Sequence, residues 1–191
     1  GPQVGLLAEA LGMKVVFHDI NKKLPLGNAR QLSGLDELLK MSDFVTMHVP
    51  DTPLTRGMIS QEQLRRMPQG SYLLNLSRGS VVDIGALRDA LVSEHLAGAA
   101  LDVFPKEPSS AEDPFQSEMR GLHNVILTPH IGGSTEEAQR NIGLEVSEAL
   151  MIYAKTGSSM GCANLPEVQL PDLDDSYRLV NIHKDMPGVL S

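Results

Sequence analysis

The feature that most constrains the fold is a repeated alternation of short strand-like segments with helix-like segments. Several strand-like segments are apolar at consecutive positions, so both of their faces are expected to be covered. Strands of this kind, separated by helices, are typical of the α/β class with a doubly wound parallel sheet. The predicted strands are Lys14–Asp19, Phe44–Val49, Tyr72–Leu76, Ala97–Val103 and Val125–Thr128.

Capping patterns predict where several of the intervening helices begin. Ser60 is followed three residues later by Gln63, the pattern of a capping box. Asp83 is expected to cap the next helix through its side-chain oxygen. Two further helices are predicted at Leu6–Leu11 and Ser33–Lys40.

A long amphipathic helix is predicted after the last strand. Ser134 and Glu137 have the spacing of a second capping box at its start. Apolar residues then recur at a spacing close to one helical turn, which predicts one buried stripe. Its expected members are Ala138, Ile142, Val146, Leu150 and Tyr153.

Composition excludes several classes of function. The 191 residues carry a formal net charge of −8 and the pI is about 5.2, so no nucleic-acid partner is expected. No stretch approaches the roughly 18 apolar residues of a membrane helix, so no membrane partner is expected either. Cys162 is the only cysteine, and no signal-peptide pattern is visible. Both observations favour a reducing, cytoplasmic setting.

Ionisable residues stand just past the C-terminal ends of the later predicted strands. They are Arg78, Asp102, Glu107 and His130. Because the carboxyl ends of parallel strands share one edge of the sheet, these residues are expected to converge although they are distant in sequence. Open α/β sheets bind their ligands along that edge.

The first helix and the strand after it have the spacing of part of a dinucleotide-binding unit. Such a unit places G-x-G-x-x-G between a strand and a helix, with a ribose-binding acid about 20 residues further on. Gly1 fits the last glycine, and Asp19 stands 18 residues later. The alternative is that Asp19 is an ordinary solvated strand end. The first interpretation predicts a Rossmann-type domain of strand order 3-2-1-4-5-6 that lacks its first strand here, in a segment of a longer chain.

Four segments carry a more specific resemblance. In chain order they are H-V-P at 48–50, N-L-S-R-G at 75–79, D-V-F-P-K-E-P at 102–108 and T-P-H-I-G-G-S-T at 128–135. In these segments the chain resembles the D-isomer-specific 2-hydroxyacid dehydrogenases, and within them the serine-pathway branch. The resemblance implies an NAD-binding domain at 1–133, incomplete at its N-terminus. It also implies a crossing helix and return segment of the substrate domain at 134–174.

The resemblance implies oxidation of a 2-hydroxy acid with NAD as the cofactor and no metal. Imidazole titrates near neutrality, so His130 is the expected proton acceptor, and Glu107 is expected to orient it. Arg78 is expected to hold the substrate carboxylate, which suits the planar guanidinium. The implied cofactor-binding residues are Asp19, His48, Val49, Pro50, Leu76, Ser77, Arg78, Asp102, His130, Ile131, Gly132 and Gly133.

The acid at position 19 also predicts a preference for NAD, because its charge would repel the 2′-phosphate of NADP. The expected reaction is oxidation of 3-phosphoglycerate to 3-phosphohydroxypyruvate, the first step of serine biosynthesis, in a homo-oligomer (dimer or tetramer) of the full-length protein. Two alternatives stay open. One is another D-2-hydroxyacid dehydrogenase, acting on glycerate, lactate or formate. The other is a non-metabolic, NAD-sensing corepressor of the same fold.

The C-terminal tail resembles the opening of an ACT-like regulatory domain, expected at 175–191. Residues 177–183 alternate in the manner of a strand. Related ACT modules bind serine through a His and an Asn two residues apart, whereas here His183 is followed by Asp185. A carboxylate cannot donate as an amide does, so the resemblance to a serine site is incomplete.

Overall fold

A computed structural model describes residues 1–110, 112–172, 177–183 and 186. The chain divides into two compact units, Gly1–His130 and Ile131–Ser191.

The first unit alternates helices and parallel strands, as predicted. In chain order the elements are α1 (Pro2–Ala10), β1 (Val16–Phe17), β2 (Arg30–Gln31), α2 (Leu35–Met41), β3 (Phe44–Met47), α3 (Gln61–Arg66), β4 (Ser71–Asn75), a 3₁₀ turn (Gly79–Val81), α4 (Ile84–Val92), β5 (Leu96–Leu101) and β6 (Val125–Leu127). Strand β1 pairs with β2 in one small sheet, and a second sheet has the order β3-β4-β5-β6. The fold class is therefore α/β with a parallel sheet.

The two sheets follow the expected Rossmann strand order with one interruption. In that order the position between β1 and β3 belongs to the first strand, and β1 and β3 are in separate sheets here. Helix α1 has neighbours from both sides of the interruption. A Cβ added to Gly5 would lie 3.5 Å from Val15, and one added to Gly1 would lie 3.7 Å from the Cβ of His48. The start of α1 therefore lies against the segment that follows β3.

The core lies on one face of the four-stranded sheet, against helices α2, α3 and α4. Alternate residues of the strands point into it, including the fully buried Leu73, and α4 contributes Leu87 and Leu91. Burying each of these side chains stabilises the fold by about 1.5–3 kcal/mol. The opposite face carries Phe44 and Tyr72, which stack at 4.7 Å between ring centroids and are 52% and 40% exposed.

The capping residues of the first unit behave as predicted. Ser60 caps α3, and Gln63 completes the capping box. Asp83 caps α4 by accepting a hydrogen bond from the amide of Ala86. These caps satisfy amides that have no partner inside the helix.

Four of the predicted strands are shorter in the structure, β4 keeps its predicted length but begins one residue earlier, and one observed strand was not predicted. The first predicted strand, 14–19, is reduced to two residues, because Asp19 accepts a hydrogen bond from the amide of Asn21 and turns the chain. Strand β2 was missed, since Arg30 and Gln31 are neither β-branched nor aromatic. Its existence depends on pairing with β1.

The second unit contains one long helix, α5 (Glu136–Thr156). The predicted capping box at Ser134 is wrong: Thr135 is the N-cap and accepts from the amide of Ala138. Residue 134 instead closes a turn, donating its amide to the carbonyl of Ile131 at 2.9 Å. The helix ends at Gly157, which has φ +77°. Among the described residues, no helix combines the length and hydropathy that crossing a bilayer requires.

The predicted apolar stripe of α5 is present but not buried. Ile142, Val146, Leu150 and Tyr153 are 47%, 51%, 62% and 46% exposed. The buried residues of this unit instead surround the C-terminal end of the helix, including Thr156. The prediction of one buried stripe is therefore wrong within this chain.

The segment after α5 is ordered by side chains that bond to backbone. Ser158 accepts from the amide of Leu170 at 2.9 Å and donates to its carbonyl at 3.0 Å. Arg178 donates to the carbonyls of Thr156 and Pro171. Residues 177–183 form no strand, so that prediction is wrong for the described part of the tail. Most of the rest of the expected ACT-like segment, including Asp185, lies outside the described residues.

Candidate active site

The centre of the candidate site is a contact between an imidazole and a carboxylate. His130 Nδ1 lies 2.8 Å from Oε2 of Glu107 and 3.0 Å from Oε1. The two side chains are 41% and 36% exposed. Because Nδ1 faces the carboxylate, Nε2 is the ring nitrogen left to meet a substrate.

Local contacts keep Glu107 ionised. Burial raises its pKa and is the largest single influence. Three lowering influences together outweigh it: the hydrogen bond from His130, the hydrogen bond from the amide of Phe104 to Oε1 at 3.0 Å, and the positive charge of the His130 ring. The pKa of Glu107 is therefore lower than that of an ordinary glutamate. The charged form is the one that stabilises an imidazolium.

The backbone of His130 is held by Asp102, at the end of β5. Oδ1 of Asp102 accepts hydrogen bonds from the amide of His130 at 3.1 Å and from the hydroxyl of Thr128. His130 has φ +52°, in the left-handed region that few non-glycine residues adopt. These bonds stabilise that conformation while the side chain contacts Glu107.

Arg78 lies on the loop after β4, and this loop packs against the one that carries Glu107. A Cβ added to Gly79 would lie 2.1 Å from the carbonyl carbon and oxygen of Phe104 and 2.5 Å from the nitrogen of Pro105. Only glycine permits this approach, which brings the two loops into contact.

Arg78 is exposed, and Nη1 of its guanidinium donates a hydrogen bond to the carbonyl of Ser77 at 2.6 Å. Among the described residues it forms no ion pair with a carboxylate. Its charge does reach Asp51. The pKa of Asp51 is lowered first by the hydrogen bond from Arg56, and Arg78 adds to this. A guanidinium that is not paired is suited to an anionic ligand.

The predicted adenosine end of the cofactor site is a cavity of about 400 Å³ next to β1 and β2. Asp19 lines it together with Lys22, Gln31 and Ser33. Gln31 donates to the carbonyls of Asp19 and Asn21, at 3.3 and 2.9 Å, and so fixes the turn that carries the acid. A half-buried carboxylate in a polar cavity suits the hydroxyls of a ribose, so these residues fit the expected dinucleotide.

The predicted H-V-P segment follows β3 and meets the start of α1. His48 lies close to Gly1, as described above, and Nε2 is 3.3 Å from the hydroxyl of Thr46. Partial burial, the largest influence on this imidazole, lowers the pKa of His48. Val49 packs at the margin of the core, and the carbonyl of Pro50 accepts from Thr55.

For the remaining predicted cofactor-binding residues, the structure gives their exposure and the unit to which they belong. Leu76 is 53% exposed and Ser77 is buried in the Arg78 loop. Ile131, Gly132 and Gly133 belong to the second unit, where residue 131 is 57% exposed. The described residues contain no cluster of three His, Cys, Asp or Glu side chains suited to a metal ion.

Two residues that shape the site have no role predicted from the sequence, Asn75 and Thr128. Each has a visible signal. Asn75 ends a strand three residues before Arg78, and Thr128 stands two residues before His130. Short polar side chains at strand ends commonly bond to the following backbone, as Asn75 does with the carbonyl of Arg78.

Comparison with known proteins places the chain in a family. A family model described as "D-isomer specific 2-hydroxyacid dehydrogenase, NAD binding domain" matches residues 1–132. The chain belongs to this family, and its fold is that of the family's nucleotide-binding domain.

Within this family, the chain is highly similar in sequence to D-3-phosphoglycerate dehydrogenases. The chain is 56% identical over 191 residues to D-3-phosphoglycerate dehydrogenase of Escherichia coli K12, covering all of this chain and 46% of that protein. The chain therefore spans less than half of the length of this relative.

Solved structures of the family share the fold. A D-lactate dehydrogenase from Sporolactobacillus gives a TM-score of 0.69 at 36% identity, covering 82% of this chain and 50% of that one. The NAD-complexed D-isomer-specific 2-hydroxyacid dehydrogenase from Lactobacillus delbrueckii ssp. bulgaricus gives 0.69 at 32% identity, covering 80% and 50%.

Proposed function

We propose that this chain is the cofactor-binding part of an NAD-dependent dehydrogenase that oxidises 3-phosphoglycerate to 3-phosphohydroxypyruvate. The observation that carries the proposal is the 2.8 Å contact between His130 Nδ1 and Glu107 Oε2, beside the loop of Arg78. The 56% identity to the Escherichia coli 3-phosphoglycerate enzyme supports the choice of substrate. Bound NAD supplies the acceptor for the hydride that leaves the hydroxyl-bearing carbon.

The residues of the chain move the proton and hold the substrate. Nε2 of His130 takes the hydroxyl proton as the carbonyl forms, and the charged ring is stabilised by Glu107 through Nδ1–H. Arg78 binds the substrate carboxylate with its guanidinium. Asp102 keeps the His130 backbone in place, and Asp19 accepts from the ribose of NAD.

The same proposal covers the rest of the predicted cofactor site. It includes the other predicted cofactor-binding residues, His48, Val49, Pro50, Leu76, Ser77, Ile131, Gly132 and Gly133. The domain limits 1–133, 134–174 and 175–191 are part of the proposal, as are a cytoplasmic location and a homo-oligomeric full-length protein.

Initial rates of NADH formation by the full-length protein test the substrate. The panel is 3-phosphoglycerate, D-glycerate, D-lactate and formate. A site built for a charged phosphate is expected to favour 3-phosphoglycerate by roughly 10²-fold or more in kcat/KM, since unpaired polar groups penalise the analogues. A higher kcat/KM with another acid would reassign the protein to a sister dehydrogenase. NADH binding without turnover of any acid would favour a corepressor.

A further inference from the structure

The loop that carries Arg78 begins at a fully buried amide. Asn75, the last residue of β4, is 0% exposed. Its Oδ1 accepts hydrogen bonds from the amide of Ser77 at 3.1 Å and from the hydroxyl of Ser77 at 3.0 Å. Its Nδ2 donates to the carbonyl of Arg78 at 2.9 Å. The oxygen and the nitrogen of the Asn75 side-chain amide therefore both form hydrogen bonds with the three residues that follow.

The backbone of Asn75 is also hydrogen-bonded to the residue that follows the neighbouring strand β5. Its carbonyl accepts from the amide of Asp102 at 3.0 Å. The loop is fixed again on its far side, where the amide of Val81 donates to the carbonyl of Arg78 at 3.2 Å and Gly79 packs against Phe104. Arg78 therefore leaves a backbone that is restrained before and after it.

We infer that Asn75 is a positioning residue for Arg78: its side chain sets the backbone from which the guanidinium reaches the substrate carboxylate. The inference rests on the proposed role of Arg78. With no exposed surface, Asn75 meets neither substrate nor cofactor, so its effect on activity passes through the loop. A displaced guanidinium weakens binding of the carboxylate, because charged hydrogen bonds depend steeply on geometry.

The chemistry of an amide is needed at this position. Aspartate has the same shape and keeps the two bonds from Ser77, but when ionised it has no proton to donate to the carbonyl of Arg78. Asn75→Asp therefore removes one bond selectively. Asn75→Ala removes all three side-chain hydrogen bonds without adding a charge. It is the variant to use if the buried carboxylate of Asn75→Asp prevents folding.

The chain offers a matched control for the same chemical change. Asn124 stands at the opposite end of the sheet, just before β6, and its Nδ2 donates to the carbonyl of Leu91 at 3.3 Å. Asn124→Asp removes one amide-to-carbonyl bond there, and should leave the KM for 3-phosphoglycerate unchanged.

The experiment is a double-mutant cycle in the full-length protein, with KM and kcat measured for 3-phosphoglycerate. One lost hydrogen bond at the Arg78 carbonyl is expected to raise KM by about tenfold. The value of kcat should stay close to that of the parent, because the lost binding is shared by the ground state and the transition state. In an Arg78→Gln background, Asn75→Asp and Asn75→Ala should raise KM no further, because the residue they position is gone.

The outcomes separate this inference from the function on which it rests. If Arg78→Gln raises KM but both Asn75 variants retain the parent KM, positioning by Asn75 is wrong and the role of Arg78 stands. If the Asn75 variants raise KM by the same factor in both backgrounds, Asn75 acts independently of Arg78 and the inference fails. If Arg78→Gln itself leaves KM unchanged, the role of Arg78 and the inference fall together.

Discussion

Replacing Glu107 with glutamine tests whether the carboxylate beside His130 takes part in proton transfer. The variant keeps the size of the side chain and removes the charge that stabilises an imidazolium. The two carboxylate oxygens lie 2.8 and 3.0 Å from Nδ1, and the side chains are 41% and 36% exposed. Hydrogen bonds to charged groups contribute about 1.5–3 kcal/mol, and partial exposure favours the lower end. About 1.5 kcal/mol corresponds to roughly a tenfold fall in kcat.

The assay is steady-state kcat of the full-length protein with 3-phosphoglycerate and NAD, for Glu107→Gln, His130→Ala and the double variant. General acid–base catalysis contributes about 10²–10⁴-fold, so His130→Ala is expected to fall by about 10³-fold while NAD affinity is kept. Because Glu107 acts through the imidazole, the double variant should resemble His130→Ala alone. Glu112→Gln is the matched control. It lies in the same loop, and its carboxylate accepts from Ser110 at 3.5 Å.

Two results would refute this reasoning. Parent-like kcat in Glu107→Gln would mean that the carboxylate does not stabilise the charged ring during the reaction. A loss in the double variant equal to the product of the single losses would mean that the two residues act separately, although they are in contact.

Three further predictions follow from the first unit. Asp19→Ala should weaken NAD binding, measured by fluorescence titration, by about tenfold and reduce discrimination against NADP; parent affinity for NAD would remove the residue from the ribose site. Gly79→Ala should lower the free energy of urea unfolding by about 1–3 kcal/mol, because its Cβ would overlap Phe104, whereas Gly143→Ala, with open space around it, should not. The pKa of Glu107 in the folded protein lies below the ordinary glutamate value of about 4.3, so the ionised side chain stabilises the fold. This stabilisation is fully present above about pH 5 and is lost as the pH falls through the folded-state pKa. Unfolding free energies of parent and Glu107→Gln should therefore differ near neutrality and converge in acid; a difference that does not change with pH would contradict this.

Local patterns predicted the parts of the fold that local interactions determine. Ser60 and Asp83 cap helices as expected, because the capping bond forms within three residues. At the start of α5 two candidate caps, Ser134 and Thr135, are adjacent, and sequence spacing does not show which residue adopts the extended conformation. Strand β2 was beyond prediction, since its pairing with β1 is a tertiary contact.

In the candidate site, too, some features could be predicted from the sequence and others depend on tertiary contacts. The placement of Glu107 and His130 after parallel strands anticipated that the two would converge, and they are in contact. The restraints on their backbones were not anticipated. Asp102 was expected to serve the cofactor, and its bonds to Thr128 and to the amide of His130 appear only when β5 and β6 are paired.

The left-handed backbone at His130 decides which inactive variant is most useful. Alanine or a β-branched residue at φ +52° adds strain, whereas asparagine adopts this region readily. His130→Asn should therefore keep the loop intact while it removes the proton acceptor. A folded protein that binds its reactants without converting them is suited to trapping the ternary complex for crystallography.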